Sequence, residues 1–252
     1  MKIDIPIYLI SLKKDTKRRE RLKENFIESF KDMQIIEAVD ADNITSKEYF
    51  NHTIKYYKKY KRIMSPSELG CTLSHIKTLK TFLDTDHKTA LILEDDIIGE
   101  DNNLDEIKNI TSSLLENSLV ILGGMDGLNK KNLLGKRADF NDQLLKIPRP
   151  LHRNLNRTCC YLLTRTSAKA ILDSHNELLN IADKWDIFFS NTSIDIYYIK
   201  LLKHPTDTSE SVIEKERNLA NVKRIKFPIK ELVRVGRRLV VLYYKLLGYE
   251  KV

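Results

Sequence analysis

Apolar residues along this chain come in short blocks separated by longer stretches of helical period. IPIYLISL (5–12) and MQIIEAVD (33–40) have the length and β-branched content of strands. Between them, DTKRRERLKENFIESF (15–30) puts Leu22, Phe26 and Phe30 on one helical stripe. SKEYFNHTIKYYKKYKRI (46–63), polar and rich in tyrosine, reads as helix. SPSELGCTLSHIKTLKTFLD (65–84) has firmer helix signals: Ser65 or Ser67 can cap its start, and Leu69, Leu73, Ile76, Leu79 and Leu83 share a face. ALILEDDI (90–97) predicts a buried strand, a helix follows near 104–116, and LVILGG (119–124) predicts the next strand. The pattern is loose from there to about residue 157. TCCYLLT (158–164) then reads as strand and SAKAILDS (167–174) as helix, with no repeat or low-complexity segment.

Strands alternating with helices argue a Rossmann-like α/β/α sandwich with a mostly parallel sheet. In such sheets ligands bind at the carboxyl ends of the strands. Ser11, Asp40 and the triplet Glu94-Asp95-Asp96 each follow an apolar run, so all of them can meet at that edge. The turn from the first strand into the first helix, at Ser11 and Leu12, is a natural site for a nucleotide. Arg18 is the arginine singled out for it, while Lys13, Lys14, Lys17 and Arg19 read as solvated charge on a helix surface.

The triplet poses a physical problem. Three neighbouring carboxylates repel one another, and burying one without a partner is costly. A hard divalent cation resolves both difficulties, because Mg²⁺ and Mn²⁺ prefer oxygen ligands. The alternative is a strand that simply ends in surface carboxylates. Alternation along an extended chain would send Glu94 and Asp96 one way and Asp95 the other.

Composition narrows the class. With 42% apolar and 31% charged residues in 252, the chain can build a core. No run approaches the length of a membrane-spanning helix. The opening MKIDIPIYLI, broken by Asp4 and Pro6, reads as a first strand rather than a signal peptide. Cys71, Cys159 and Cys160 make neither a disulfide framework nor a zinc pattern, which fits a reducing cytoplasm. The net charge of +8 sits almost entirely in residues 223–252, which carry nine Lys and Arg against two Glu. The remaining body, 1–222, is near neutral and gives no case for nucleic-acid binding.

Four segments in order carry a family resemblance: IYLISLKKDTKRRERL (7–22), IIEAVDA (35–41), SPSELGCTLSHIKTLK (65–80) with its E-x-G-C-x-x-S-H pattern, and ALILEDDI (90–97). CYLLTRTSAKAIL (160–172) and, weakly, TSESVI (208–213) extend it. Together they resemble glycosyltransferase family 25, whose bacterial members build lipooligosaccharide and whose animal relatives galactosylate collagen. Two departures stand out: Arg157-Thr158-Cys159-Cys160 precedes Tyr161 where members often carry Gly-Thr-His-Ala, and Lys184-Trp185-Asp186 replaces a common Pro-x-Asp.

The resemblance implies a GT-A-type fold, a UDP-sugar donor, Mn²⁺ or Mg²⁺, and inverting transfer, often of galactose, to a lipooligosaccharide or lipopolysaccharide acceptor. Strand alternation makes Asp96 the expected metal ligand and puts Glu94 on the metal or the ribose; His204 is a candidate further ligand, with a surface histidine before Pro205 as the default reading. Ser11, Leu12, Arg18, Asp40, Glu68, Gly70, Ser74, His75, Glu94 and Asp95 become candidate donor-binding residues. Asp186, with Asp183 second, is the candidate base that takes the acceptor proton. Trp185 is either an acceptor platform or a core tryptophan. Two other classes remain open: another metal-dependent nucleotide-using transferase, nucleotidyl or phosphoryl, and a non-catalytic glycan- or membrane-binding relative.

The tail FPIKELVRVGRRLVVLYYKLLG (227–248) begins near Pro228 and ends at Gly248, good helix punctuation. Ile229, Leu232, Val233, Leu239, Val240, Tyr243, Leu246 and Leu247 predict an apolar face, and Lys230, Arg234, Arg237, Arg238 and Lys245 a basic one. Such a helix can lie on an anionic membrane surface, which would put the protein on the inner face of the cytoplasmic membrane. It can equally dock on its own domain or in a dimer.

Overall fold

Strand β1 (Ile7–Ser11) is buried throughout because it lies between two parallel partners, β2 (Met33–Glu37) and β3 (Thr89–Glu94). Its side chains divide between two cores, Ile7 and Leu9 on one face of the sheet, Tyr8 and Ile10 on the other. The computed structural model describes residues 5–128, 130–207, 213, 216 and 229–252. Beyond β3 come β4 (Ser118–Gly123), β5 (Leu134–Ala138), β6 (Asn141–Ile147), β7 (Cys160–Thr164), β8 (Asp195–Leu202) and β9 (Glu250–Lys251). They form one sheet of order β2-β1-β3-β7-β4-β8-β6-β5-β9.

The α/β/α sandwich expected from the alternation is present. Helices α1 (Thr16–Asn25) and α4 (Asp101–Ser113) cover one face, with Leu22 and Leu104, Ile107 and Ile110 in its core. Helices α3 (Pro66–Leu83), α5 (Arg165–Glu177) and the short α6 (Trp185–Phe188) cover the other. Helix α2 (Ser46–Tyr60) packs outside α3 around Tyr56, Met64 and Leu69. The sheet itself is mixed: β6, β7 and β9 run against the other strands. Apolar periodicity identifies a strand but not its direction, which the connections decide. The loosely patterned stretch before residue 157 holds the β5–β6 hairpin and a 3-10 segment, Arg149–Asn154. Its polar outward positions disguise it.

Helix α3 carries the largest share of the site's support. Ser65 and Glu68 form a capping box, with Pro66 in the first turn. The buried face is wider than the expected leucine stripe and includes Thr72, Ser74, His75 and Thr78. Ser74 donates to the Gly70 carbonyl (2.7 Å) and Thr78 to that of Ser74 (2.9 Å), so both hydroxyls are satisfied where they are buried. Gly70 is needed because a Cβ there would lie 2.7 Å from the Val39 carbonyl oxygen. Gly70→Ala should therefore push α3 off the loop after β2 at a cost of about 1–3 kcal/mol. Thermal melting should show a drop of roughly 5 °C; an unchanged melting temperature would refute the packing argument.

Two histidines on the α5 side of the sheet are held neutral. Burial pushes His152 and His175 down from 6.5 to about 4. His175 Nδ1 accepts the Asn180 N–H (3.3 Å), a bond that protonation would break. The unfolded chain takes up protons at these sites near pH 6.5 and the folded chain only near pH 4. Their contribution is therefore intact above pH 6.5 and lost as pH falls towards 4, about 3 kcal/mol each. The variant H152Q/H175Q should melt lower at neutral pH yet lose less on acidification; an unaltered pH slope would contradict this.

Helix α7 (Ile229–Leu246) closes the fold at the far edge, and β9 pairs with β5. The expected body–tail boundary at 222/223 lies outside the described residues, as does the serine motif at 208–213 apart from Ile213.

Candidate active site

The carboxyl ends of β1, β3, β4 and β8 and the start of the reversed β7 share one edge of the sheet. Strand β3 ends at Glu94 and the chain turns, so the expected alternation stops there. Each carboxylate of the triplet takes a different partner. Glu94 Oε1 accepts from His75 Nε2 (3.0 Å) and from Thr158 Oγ1 (2.6 Å). Asp95 Oδ1 accepts from Arg18 Nη1 (3.0 Å). Asp96 Oδ2 faces His204 Nε2 at 3.2 Å and Arg18 Nη1 at 4.0 Å.

The meeting of Asp96 and His204 has a backbone cause. Ile98 and Lys203 form an antiparallel bridge, with both N–H···O distances 2.8 Å, which draws the two flanking side chains together. His204 Nδ1 donates to the Pro205 carbonyl (2.8 Å), so in the neutral ring the free lone pair is on Nε2, towards Asp96.

Repulsion within the triplet is only partly relieved. Burial holds Asp95 above the ordinary carboxylate value despite Ser11 and Arg18 beside it. Burial also opposes ionisation of Asp96, but His204, Arg18 and Arg157 outweigh it and hold its pKa below the usual value. His204 moves up correspondingly: burial disfavours its charge and Asp96 more than compensates. Asp95 Oδ2 and Asp96 Oδ1 are buried with no hydrogen-bond partner. Such orphaned acceptors, beside an imidazole whose Nε2 becomes a ligand once it gives up its proton, fit a divalent cation.

A second cluster lies behind Glu94. The ligand atoms of Cys71, His75 and Glu94 are within 4.8 Å of one another. Burial, and then the charge of Glu94, push the Cys71 thiol and the Tyr161 hydroxyl well up, so both keep their protons. With Glu94 ionised, His75 Nε2–H donates to it and Nδ1 accepts from Tyr161 at 2.9 Å. Both imidazole nitrogens are thus occupied by hydrogen bonds, and we assign this cluster to support of the β3 end.

Arg157 organises the opposite side. It adopts a left-handed backbone (φ 71°), an uncommon conformation for a residue with a Cβ. Its N–H donates to Asp183 Oδ2 (3.2 Å), and its carbonyl accepts from Trp185 Nε1 (3.3 Å). Its guanidinium donates to the carbonyls of Gly124 (2.7 Å) and Asp126 (3.0 Å). Asp126 in turn accepts the His204 N–H (3.1 Å), so one network links the ends of β4 and β8 to the start of β7.

The sequence profile of the family described as "Glycosyltransferase family 25 (LPS biosynthesis protein)" matches residues 4–187. The chain belongs to glycosyltransferase family 25. Among curated relatives, a "Glycosyltransferase 25 family member" of Anopheles gambiae is 31% identical over 96 residues, 36% of this chain and 16% of its own. Human "Procollagen galactosyltransferase 2" is 27% identical over 126 residues, 46% of this chain and 20% of its own. The chain thus spans no more than a fifth of the length of these relatives. A solved structure, mannose-1-phosphate geranyltransferase from Thermus thermophilus, aligns with 80% of this chain and 74% of its own at 10% identity and a TM-score of 0.34.

Within this family 25 chain the expected site residues separate into two groups. Ser11, Arg18, His75, Glu94, Asp95, Asp96 and His204 gather at the edge, and Asp183 joins them through Arg157. Others serve the scaffold. Glu68 is buried in the α3 capping box and accepts from Arg62 (2.6 Å), Gly70 makes the close approach to Val39, and Ser74 receives the Val39 N–H (2.8 Å). Asp40 caps the following 3-10 turn and pairs with Lys14 at 2.8 Å. Asp186 lies where its charge acts on Tyr60 and His152. Trp185 is a core residue, 1% exposed, stacked on Phe189 and edge-on to Tyr161.

Several side chains of the site escape the sequence-based reading. Arg19, expected as solvated charge, clasps the β1–α1 turn by donating to Ser11 Oγ (2.8 Å) and to the carbonyls of Leu12 (2.5 Å) and Lys13 (2.9 Å). Lys14 likewise bridges Asp40 and Asp42. Arg157 and Thr158 were reachable only through the departure from Gly-Thr-His-Ala, which marks the place without assigning a role, and Asp126, in the loop after β4, had no signal at all.

Proposed function

We propose that this protein is an inverting, metal-dependent glycosyltransferase that moves galactose from a UDP-sugar to a hydroxyl of a lipooligosaccharide or lipopolysaccharide acceptor. The observation that carries this reading is the pair of orphaned, buried oxygens on Asp95 and Asp96, set at one sheet edge among Arg18, Arg157 and His204. The galactose follows the names of the procollagen galactosyltransferase relatives, and the acceptor follows the family's description.

In this reading Asp96 and His204, with Asp95 beside them, would hold Mn²⁺ or Mg²⁺. Bound there, the ion supplies charge stabilisation for a diphosphate leaving group. Arg18 and Arg157 add fixed positive charge on the same side. Ser11 and Leu12, clasped by Arg19, offer a rigid turn against which the nucleotide can lie. Glu94, fixed by His75 and Thr158, would meet the ribose.

The base is Asp183. Its carboxylate takes the proton of the acceptor hydroxyl as that oxygen bonds to the anomeric carbon, and the bond from that carbon to UDP breaks on the opposite face. Arg157 holds Asp183 in place through its backbone N–H. A UDP-sugar and a lipid-linked acceptor would meet at the inner face of the cytoplasmic membrane, the location we assign.

Incubating the protein with a panel of UDP-sugars and Mn²⁺, with and without glycolipid acceptors, tests the reading. UDP release from UDP-galactose, stimulated by acceptor, is expected. Cleavage between the phosphates instead would indicate a phosphoryl or nucleotidyl transferase, and no cleavage of any donor would indicate a non-catalytic relative.

A further inference from the structure

Helix α7 has two apolar stripes, and only one of them is used within the fold. Val241, 7% exposed, enters the core beside Leu133, Leu134 and Leu151, with Val240 and Tyr244 packed against it. The helix is pinned after its end, because Glu250 and Lys251 pair with Gly135 and Leu134, and Arg137 Nε lies 3.2 Å from Glu250 Oε1. Docking on its own domain, one of the expectations for this tail, is therefore real. It turns Val240 inward, away from the face on which the sequence grouped it. The side chains of Ile229, Leu232 and Val233 lie outside the described residues.

The second stripe points the other way. Leu239, Leu242, Tyr243, Leu246 and Leu247 follow the i, i+3, i+4, i+7, i+8 spacing of one helix face and are all exposed, Leu242 at 53% and Leu246 at 79%. Arg237, Arg238 and Lys245 on the same helix are exposed too, and no acidic residue occurs between Glu231 and Glu250. Exposed apolar stripes of this size mark interaction sites.

The charge pattern selects the partner. A nucleic acid would satisfy the arginines but offer nothing to the leucines. A second copy meeting the same stripe about a two-fold axis would bring basic flank against basic flank without an acidic counterpart. An anionic bilayer satisfies both, with acyl chains for the leucines and headgroup phosphates for the arginines. Among the described residues no helix is long and apolar enough to cross a membrane, so contact through α7 is interfacial.

We propose that α7 seats the protein on an anionic lipid surface, Leu242, Tyr243 and Leu246 entering the interface while Val241 and Tyr244 keep the helix fixed to the sheet. The body is then held at the bilayer in a set orientation rather than on a loose tether. This goes beyond the proposed activity and does not depend on it.

Co-sedimentation of the full chain with extruded vesicles, phosphatidylcholine alone or mixed with phosphatidylglycerol, tests the proposal without any sugar substrate. Binding to the phosphatidylglycerol vesicles is expected, with roughly tenfold or greater weakening in L242E/L246E and in R238E/K245E, and loss at high salt. Because the altered side chains are exposed, melting temperatures should match the parent, which separates lost binding from lost folding. Equal binding to both vesicle types, or parent-like binding by L242E/L246E, would overturn the proposal. So would a dimer in sedimentation velocity that L242E/L246E dissolves while the parent ignores vesicles, an outcome that assigns the stripe to a second copy.

Discussion

Asp96→Asn should cut sugar transfer about a thousandfold while leaving the fold intact. Asn keeps the size of the side chain but removes its charge and turns one acceptor oxygen into an N–H donor. That charge is what holds His204 above its ordinary pKa and what the orphaned Oδ1 would present to a cation. Stability should change little, because the loss of the His204 contact is offset by relief of repulsion with Asp95. A second readout separates binding from chemistry: the parent should melt higher in millimolar Mn²⁺, and Asp96→Asn should not. A variant that kept more than a tenth of the parental rate, or an undiminished Mn²⁺-dependent shift, would remove Asp96 from the centre of the site.

Asp183→Asn should lower kcat by about a hundredfold to ten-thousandfold with donor KM little changed, the range expected for loss of a positioned general base. Asp186→Asn, by contrast, should stay within a few-fold of the parent. From the sequence Asp186 comes first and Asp183 second, and we reverse that order on the contacts of the two side chains. Asp183 is tied to Arg157, and its charge reaches the Cys71 thiol together with those of Glu94 and Asp96. Asp186 stands on α6, where its charge is felt by Tyr60 and His152. A deep loss in Asp186→Asn with a nearly normal Asp183→Asn would restore the original order.

The candidate site was legible in proportion to how local its chemistry is. The acidic triplet announces itself because three carboxylates after a buried strand need a compensating charge. The α3 capping box is equally local, since Ser65 and Glu68 are one helical turn apart. Locality says less about roles. Glu68, Gly70 and Ser74 were expected as donor-binding residues, and the partners the structure gives them are a helix terminus, a carbonyl and a loop amide. Arg19 was undervalued for the converse reason: on a helix crowded with charge, nothing in the spacing marks the one guanidinium that folds back on the preceding turn. Strand β8 and the β5–β6 hairpin are absent from the expected elements, the hairpin because its outward positions are polar.

By itself the sequence determined which segments are strands and helices through most of the chain, where α3 is capped, and that a negatively charged cluster stands at a strand end. These are matters of neighbouring residues, governed by periodicity, capping and like-charge repulsion. Only the tertiary structure decided that β7 runs backwards between β3 and β4, which delivers Arg157 and Thr158 to the cluster. It also decided that Ile98 bridges to Lys203 and so sets His204 against Asp96, and that α7 turns one apolar stripe into the core and leaves the other outside. Strand order, strand direction and helix rotation depend on contacts between residues far apart in the chain, and no local pattern of polar and apolar positions encodes them.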